Sequence, residues 1–255
     1  VRSIGVGVPG MLDLNRGQLL HAPNLGWHDV PLKRKLEKTF RSIPVTIAND
    51  VDAGTYGEYR FGAARKARCV VGVFPGTGIG GACIYEGRIL RGRVGSCMEI
   101  GHMLVRPGGE LCGCGRRGCL ETVASRLALS AQIAAAACRG EAPYILHKVG
   151  TDLQAIRSKF IAAAIRHGDG AVERIVRSAA RNLGQAMISV VHLLAPDIIV
   201  LGGGLVEEMP TLLQTEVTKA LKAGVTDAFQ GAYRVVTAEL GDYATARGAA
   251  ALAAD

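Results

Sequence analysis

The chain lacks any apolar run that could cross a membrane, and only 5% of its residues are aromatic. A membrane-spanning helix needs about 20 consecutive apolar residues. The best candidate, residues 190–201, is interrupted by His192, Pro196 and Asp197. The chain also opens without a signal peptide. We therefore expect a cytoplasmic protein that makes no use of a membrane.

The composition favours a mixed α/β fold. Apolar residues make up 49% of the 255 residues and charged residues 20%. Short apolar runs alternate with helical patterns, which is typical of α/β architectures. We predict strands at 4–8, 44–48, 69–74, 82–85, 197–201 and 235–238. We predict helices at 32–40, 51–59, 119–138, 151–168, 170–194, 210–223 and 244–254, with a loop-rich stretch over 10–31.

Four residues in an eighteen-residue stretch have the composition of a metal site. His102 is followed by Cys112, Cys114 and Cys119, with glycines between the cysteines. Three thiolates and an imidazole suit tetrahedral Zn²⁺, and four protein ligands describe a structural site. The alternative is a set of disulfides or buried thiols. Four further cysteines show no disulfide spacing, which favours a reducing compartment.

The net charge of +8 raises the question of a polyanionic partner. The basic residues are scattered through helices and loops, and no basic run is interleaved with aromatic residues. We therefore expect no nucleic-acid partner for this segment.

Asn49 and Asp50 lie where a predicted strand turns into a predicted helix. Active groups of open α/β sheets occupy such positions. The free N–H groups and the helix dipole should keep the Asp50 carboxylate ionised, so that it can accept a proton from a substrate hydroxyl. The alternative is an ordinary helix cap, for which Asn and Asp are both preferred.

Two glycine-rich segments could approach a phosphorylated ligand. The segment 76–81 lies between two predicted strands, so it is neither a Rossmann nor a P-loop element. Its backbone N–H groups and the Thr77 hydroxyl could still contact phosphate oxygens. A second segment, glycines 202–204, follows a buried strand. Structural turns are the alternative for both.

Two glutamates flank the metal ligands. The metal-binding loop could hold Glu99 and Glu121 against a polar small molecule. Alternatively both are solvated, and Glu121 only favours the first turn of the next helix.

These motifs occur together in one known family. The chain resembles the ROK family of sugar kinases and sugar-responsive repressors, and in particular its bacterial glucokinases. The resemblance covers almost the whole chain. It rests on eight blocks: Gly-Val-Pro-Gly at 7–10, Pro-Asn at 23–24, Asn-Asp at 49–50, Gly-Thr-Gly-Ile-Gly at 76–80, Glu-Ile-Gly-His at 99–102, the cysteine signature at 112–121, Leu-Gly-Gly-Gly at 201–204, and Ala-Arg-Gly-Ala-Ala at 246–250.

The resemblance implies an α/β, two-lobed, actin-like ATPase (ribonuclease H-like) fold with a sugar between the lobes. It implies that Asp50 acts as general base on the 6-hydroxyl of the sugar. It implies a binding site for the other groups of the sugar, formed by Gly10, Asn49, Glu99, His102 and Glu121. It implies ATP phosphates on Gly76, Thr77, Gly78 and Gly80, adenosine near Gly202, Gly203 and Gly204, and Mg²⁺ with the ATP.

Two departures from the family pattern stand out. The family opens with an Asp-x-Gly-Gly-Thr phosphate loop about sixty residues before Val-Pro-Gly, and this chain has no such loop. We therefore expect an incomplete small lobe, weak or absent turnover, and self-association through the strand at 4–8. The family also has Ala-Gly where this chain has Cys97 and Met98, which places bulk near the sugar.

The resulting prediction is an ATP-dependent hexose kinase, most simply a glucokinase, that carries a structural Zn²⁺ and forms a homodimer or homotetramer. Residues 1–49 would be the remainder of the small lobe, with helix 244–255 packed on it. Residues 50–243 would form the large lobe with the zinc loop 102–119. The alternatives are a sugar-responsive regulator without its DNA-binding segment and a sugar-binding protein without activity.

Overall fold

The computed structural model describes residues 1–22, 25–41, 43–93, 95 and 97–255. Pro23 and Asn24, one block of the family resemblance, lie outside the described residues. The described strands are β1 (Ile4–Val8), β2 (Met11–Asp13), β3 (Gln18–Ala22), β4 (Trp27–Val30), β5 (Val45–Asn49), β6 (Cys69–Pro75), β7 (Ile79–Tyr85), β8 (Arg88–Ile89), β9 (Ile198–Leu201) and β10 (Arg234–Thr237). The described helices are α1 (Leu32–Thr39), α2 (Asp50–Phe61), α3 (Glu121–Ala124), α4 (Arg126–Cys138), α5 (Pro143–Val149), α6 (Ser158–Arg166), α7 (Gly170–Leu194), α8 (Gly204–Glu208), α9 (Pro210–Gly224) and α10 (Ala244–Ala254).

The N-terminal part contains two small sheets. Strands β1 and β5 are parallel, with Val8 opposite Asn49. Strands β2, β3 and β4 form an antiparallel sheet. The prediction of a loop-rich stretch over 10–31 was therefore wrong. The strands are three to five residues long, and their exposed faces carry residues such as Met11 and Trp27, so the sequence shows little polar–apolar alternation.

The larger sheet has the strand order β10-β9-β6-β7-β8. Strand β9 is parallel to β6 and β10, whereas β7 is antiparallel to β6 and β8. Strand β9 is buried throughout, which explains its continuous run of apolar residues. The main hydrophobic core joins this sheet to the 25-residue helix α7 and its neighbours.

Helix α10 packs closely on α2 and β1. A Cβ added to Gly248 would lie 1.7 Å from the carbonyl oxygen of Ala53, and one added to Gly57 would lie 2.3 Å from that of Ala244. Only glycine permits these backbones to approach so closely. The C-terminal helix thus lies against the helix that begins at Asp50. The domain boundary at residues 49–50 stays a prediction.

Two helix predictions need correction. The helix expected over 119–138 is two helices, α3 and α4, because Ser125 is extended and its hydroxyl caps α4 through the N–H of Ala128. The helix expected over 151–168 begins only at Ser158. Sequence analysis missed α5, a seven-residue helix that begins at Pro143.

Two carboxylates, the buried Glu58 and the exposed Asp197, hold chain segments together. The Glu58 carboxylate on α2 accepts hydrogen bonds from the backbone N–H groups of Ala63, Glu239 and Leu240. The Asp197 carboxylate accepts bonds from the backbone N–H groups of Arg68 and Cys69 at the start of β6.

No helix among the described residues is both long and apolar enough to span a bilayer.

Candidate functional site

Asn49 and Asp50 occupy the junction of β5 and α2, as predicted. The Asn49 side chain caps α2, because its Oδ1 accepts bonds from the N–H groups of Val51 at 2.8 Å and Asp52 at 3.3 Å. Its Nδ2 donates to the carbonyl oxygen of Gly10 at 3.2 Å. The cap alternative therefore holds for Asn49, which also ties the turn after β1 to the start of α2.

Asp50 is the first residue of α2, and its Oδ1 accepts a single bond from the N–H of Val51 at 3.0 Å. Burial raises the pKa of this carboxyl, and backbone hydrogen bonds offset only part of the effect. Desolvation thus outweighs the backbone N–H groups at the start of α2, an effect that sequence analysis did not include. A raised pKa brings a carboxylate closer to the range in which a general base works well.

Asp52 is a carboxylate that sequence analysis did not single out. Its pKa is raised to about 6: burial is the largest cause, Arg91 lowers it, and Glu99 and Asp50 raise it. The charge of Asp52 in turn raises the pKa of the Cys97 thiol, for which burial is the larger cause. Asp50 and Glu99 therefore lie close enough to Asp52 for their charges to raise its pKa.

The glycine-rich segment 76–81 joins β6 to β7, but the turn of this hairpin is residues 76–78, because β7 begins at Ile79 and not at residue 82 as predicted. The N–H of Gly76 donates to the carbonyl oxygen of Gly78 at 2.8 Å and closes the turn. A Cβ added to Gly80 would lie 2.5 Å from a methyl group of Val51, so the hairpin lies directly against the start of α2. Thr77 is at the tip, within the turn. The structure thus brings the Asp50 helix and the hairpin together.

Glu121, the first residue of α3, links the hairpin to the cysteine loop. Its Oε2 accepts a bond from the N–H of Ile79 at 3.1 Å, and its Oε1 lies 3.6 Å from the Sγ of Cys112. A Cβ on Gly78 would lie 2.2 Å from Oε2, so the Glu121 carboxylate lies directly against the turn of the hairpin. The alternative that Glu121 is merely solvated is wrong.

The four candidate metal ligands converge. One ligand atom from each of His102, Cys112, Cys114 and Cys119 lies within 4.8 Å of the other three. The Nδ1 of His102 is 3.6 Å from the Sγ of Cys112, and the Sγ atoms of Cys114 and Cys119 are 3.7 Å apart. Tetrahedral zinc, with bonds of about 2.0–2.3 Å, requires such separations. All seven cysteines are free, which excludes the disulfide alternative in this structure.

The segment before His102 has an unusual backbone conformation at Met98. Met98 has φ of 59°, in the left-handed region that favours glycine. Its side chain packs against the main core. The Glu99 side chain is exposed, and its carbonyl oxygen accepts a bond from the N–H of His102 at 3.0 Å.

Gly202, Gly203 and Gly204 connect β9 to α8 beside the hairpin. The N–H of Gly202 donates to the carbonyl oxygen of Val73, and Gly203 has φ of 82°. A cavity of about 850 Å³ extends between Thr77 on the hairpin and Gly204. The two predicted glycine segments therefore border one cavity.

The match to the ROK family model covers residues 1–255, and the chain belongs to the ROK family. Its fold is the two-lobed actin-like ATPase fold. The chain is 34% identical over 254 residues to the glucokinase of Streptomyces coelicolor, across 98% of this chain and 80% of that protein. It is 31% identical over 203 residues to the xylose repressor of Caldicellulosiruptor bescii, across 79% of this chain and half of the repressor.

A solved structure gives a similar result. The ROK glucokinase of Streptomyces griseus in complex with glucose and AMPPNP superimposes with a TM-score of 0.88. The sequence identity is 35%, and the match covers 100% of this chain and 82% of the other. The chain is therefore similar both to glucokinases and to a xylose repressor.

Proposed function

We propose that the protein is an ATP-dependent hexose kinase that phosphorylates the 6-hydroxyl of glucose. The observation that carries this proposal is the position of Asp50. Its partly desolvated carboxylate is at the start of α2, next to the glycine hairpin that Val51 contacts. A base and a phosphate-binding turn on adjoining elements are what transfer of a phosphoryl group to an alcohol requires.

In this proposal Asp50 accepts the proton of the 6-hydroxyl as its oxygen attacks the γ-phosphorus of ATP. The bond from that phosphorus to the β–γ bridging oxygen breaks, and ADP leaves with Mg²⁺. Gly10, Asn49, Glu99, His102 and Glu121 surround the remaining hydroxyls. Asn49 supports this role indirectly, because its bond to the Gly10 carbonyl fixes the turn after β1.

The donor nucleotide binds along the cavity between the hairpin and the start of α8. Gly76, Thr77, Gly78 and Gly80 border the phosphates, and Gly202, Gly203 and Gly204 lie near the adenosine. The similarity to an enzyme solved with AMPPNP supports this assignment.

A Zn²⁺ ion held by His102, Cys112, Cys114 and Cys119 serves a structural purpose here. It would supply folding free energy to a loop that has little apolar content of its own. Because Nδ1 of His102 is the nitrogen nearest Cys112, Nε2 is left to contact the sugar. The loop would then position His102 and, through Cys112, Glu121.

A second candidate function is sugar sensing without turnover. The similarity to a xylose repressor over 203 residues, half of that protein, favours it. A regulator of this kind would bind sugar and would leave ATP intact.

Phosphorus NMR distinguishes the two functions. The protein, extended upstream by the Asp-x-Gly-Gly-Thr segment of the family, is incubated with glucose, ATP and Mg²⁺, and resonances of glucose 6-phosphate and ADP are followed. A kinase produces both in equal amounts and none without protein. Glucose binding in calorimetry, together with unchanged ATP after prolonged incubation, would contradict the kinase and support the sensor.

A further inference from the structure

Arg126 is tied to the tip of the glycine hairpin by two hydrogen bonds. It is the first residue of α4. Its backbone N–H donates to the carbonyl oxygen of Gly76 at 2.8 Å, and its Nη2 donates to Oγ1 of Thr77 at 2.9 Å. The guanidinium has five N–H donors in a planar fork, so most of them remain for other partners.

Two more cations line the same cavity of about 850 Å³. They are Arg157, which precedes α6, and Lys159, in the first turn of α6. Within the described part of the chain, none of these three cations lies within 4.0 Å of a carboxylate. The cavity also has Glu207 and Glu208 on its α8 side, so its lining carries three cations and two carboxylates.

The ligand chemistry follows from this lining. Cations without an internal counter-ion, grouped around a polar cavity, favour an anion that carries several charges. A guanidinium beside a backbone turn suits phosphate oxygens in particular, because its fork can donate two parallel bonds. The N-terminus of α6 adds to the same effect, since Ser158 and Lys159 both line the cavity.

We propose that Arg126, with Arg157 and Lys159, forms a cationic wall that binds the terminal phosphates of the donor and favours a triphosphate over a diphosphate. This inference rests on the proposed function, because it assigns a further residue to the same donor site. Arg126 binds these phosphates through the charge of its guanidinium, which is held at the tip of the hairpin by its bond to Thr77.

A merely structural role makes a different prediction. If Arg126 only holds the hairpin in place, a glutamine that keeps the bond to Thr77 should leave both affinities unchanged, and a variant that loses this bond should bind ATP and ADP equally less tightly. If its charge binds the terminal phosphates, Arg126→Gln should weaken triphosphates more than ADP, and Arg126→Lys should retain most of the affinity.

Calorimetry with ATP, ADP and inorganic triphosphate tests the proposal on the intact chain. For Arg126→Gln we expect Kd for ATP and for triphosphate to rise about tenfold, as for loss of a charge-assisted bond. The salt dependence of triphosphate binding should also weaken. Glucose binding should not change. Arg166→Ala is the matched control, because it removes one charge at the opposite end of α6 and should leave every Kd unchanged.

Three results would overturn the proposal. The first is an Arg126→Gln variant that binds ATP as wild type does, with an unchanged Tm. The second is an equal loss for ATP and ADP that Arg126→Lys fails to rescue. The third is a wild-type protein that binds neither ATP nor triphosphate, which would also remove the donor site of the proposed function. The first two results leave that function intact.

Discussion

The Glu121 carboxylate accepts a hydrogen bond from the backbone N–H of Ile79 at 3.1 Å. Its other oxygen lies 3.6 Å from the Sγ of Cys112. One side chain therefore connects the cysteine loop to the hairpin that borders the donor cavity. The position of the hairpin should consequently depend on whether the loop is folded.

The metal site provides the first prediction. Cys114→Ser should release the metal, because zinc would lose one of four ligands. Sugar binding should fall with it, since His102 and Glu121 lose their support, and ATP affinity should decrease through the hairpin. Elemental analysis and calorimetry on the same preparations measure all three. Cys138→Ser, another exposed cysteine, is the control and should retain one zinc per chain. Wild-type protein that has intact thiols and no metal would refute the assignment.

Asp52 provides a prediction for the pH dependence of stability. Its pKa rises from 3.8 to about 6 on folding, with burial as the largest cause. A raised carboxyl pKa means that the folded state holds the proton more tightly than the unfolded state. The ionised Asp52 therefore lowers the free energy of unfolding. This loss of stability is absent below pH 3.8, grows between pH 3.8 and 6, and is complete above pH 6. It amounts to at most about 3 kcal/mol.

Asp52→Asn should therefore stabilise the protein above pH 6 and have little effect near pH 4. Urea denaturation at several pH values gives the free energy of unfolding for both proteins, and their difference isolates Asp52 from other titrating groups. Asp227→Asn, at an exposed position, should change stability by less than about 0.5 kcal/mol throughout. A difference between Asp52→Asn and wild type that is constant across this pH range would contradict the assignment.

Glu58 provides a prediction for folding. Its carboxylate is fully buried and accepts bonds from three backbone N–H groups in two chain segments. Glu58→Ala would leave these donors unpaired and should lower the free energy of unfolding by about 3 kcal/mol. Glu86→Ala serves as the comparison. It removes an exposed ion pair with Arg68 and should cost less than about 1 kcal/mol. Equal losses would show that the Glu58 bonds contribute little.

The sequence predicted features that depend on local patterns. The four metal ligands share one short loop, and the Asn49–Asp50 junction has a strand pattern before it and a helix pattern after it. Long-range packing produced what was missed. Arg126 was missed because its hydrogen bond is to Thr77, 49 residues earlier in the chain, and no local pattern indicates that contact. The raised pKa of Asp50 depends on burial, which the helix N-terminus alone does not predict. The short strands β2, β3 and β4 are stabilised by pairing with one another, and their own residues show little strand pattern.

The most direct test of the account is the activity of Asp50→Asn, in a version that includes the Asp-x-Gly-Gly-Thr segment, measured beside its affinity for glucose. Asparagine keeps the size of the side chain and removes its ability to accept a proton. We expect kcat for glucose phosphorylation to fall by about 10²–10⁴-fold. The Kd for glucose from calorimetry should change by far less, because Glu99, His102 and Glu121 remain in place. Turnover near the wild-type rate would show that Asp50 is only the start of a helix, and the proposed mechanism would be wrong.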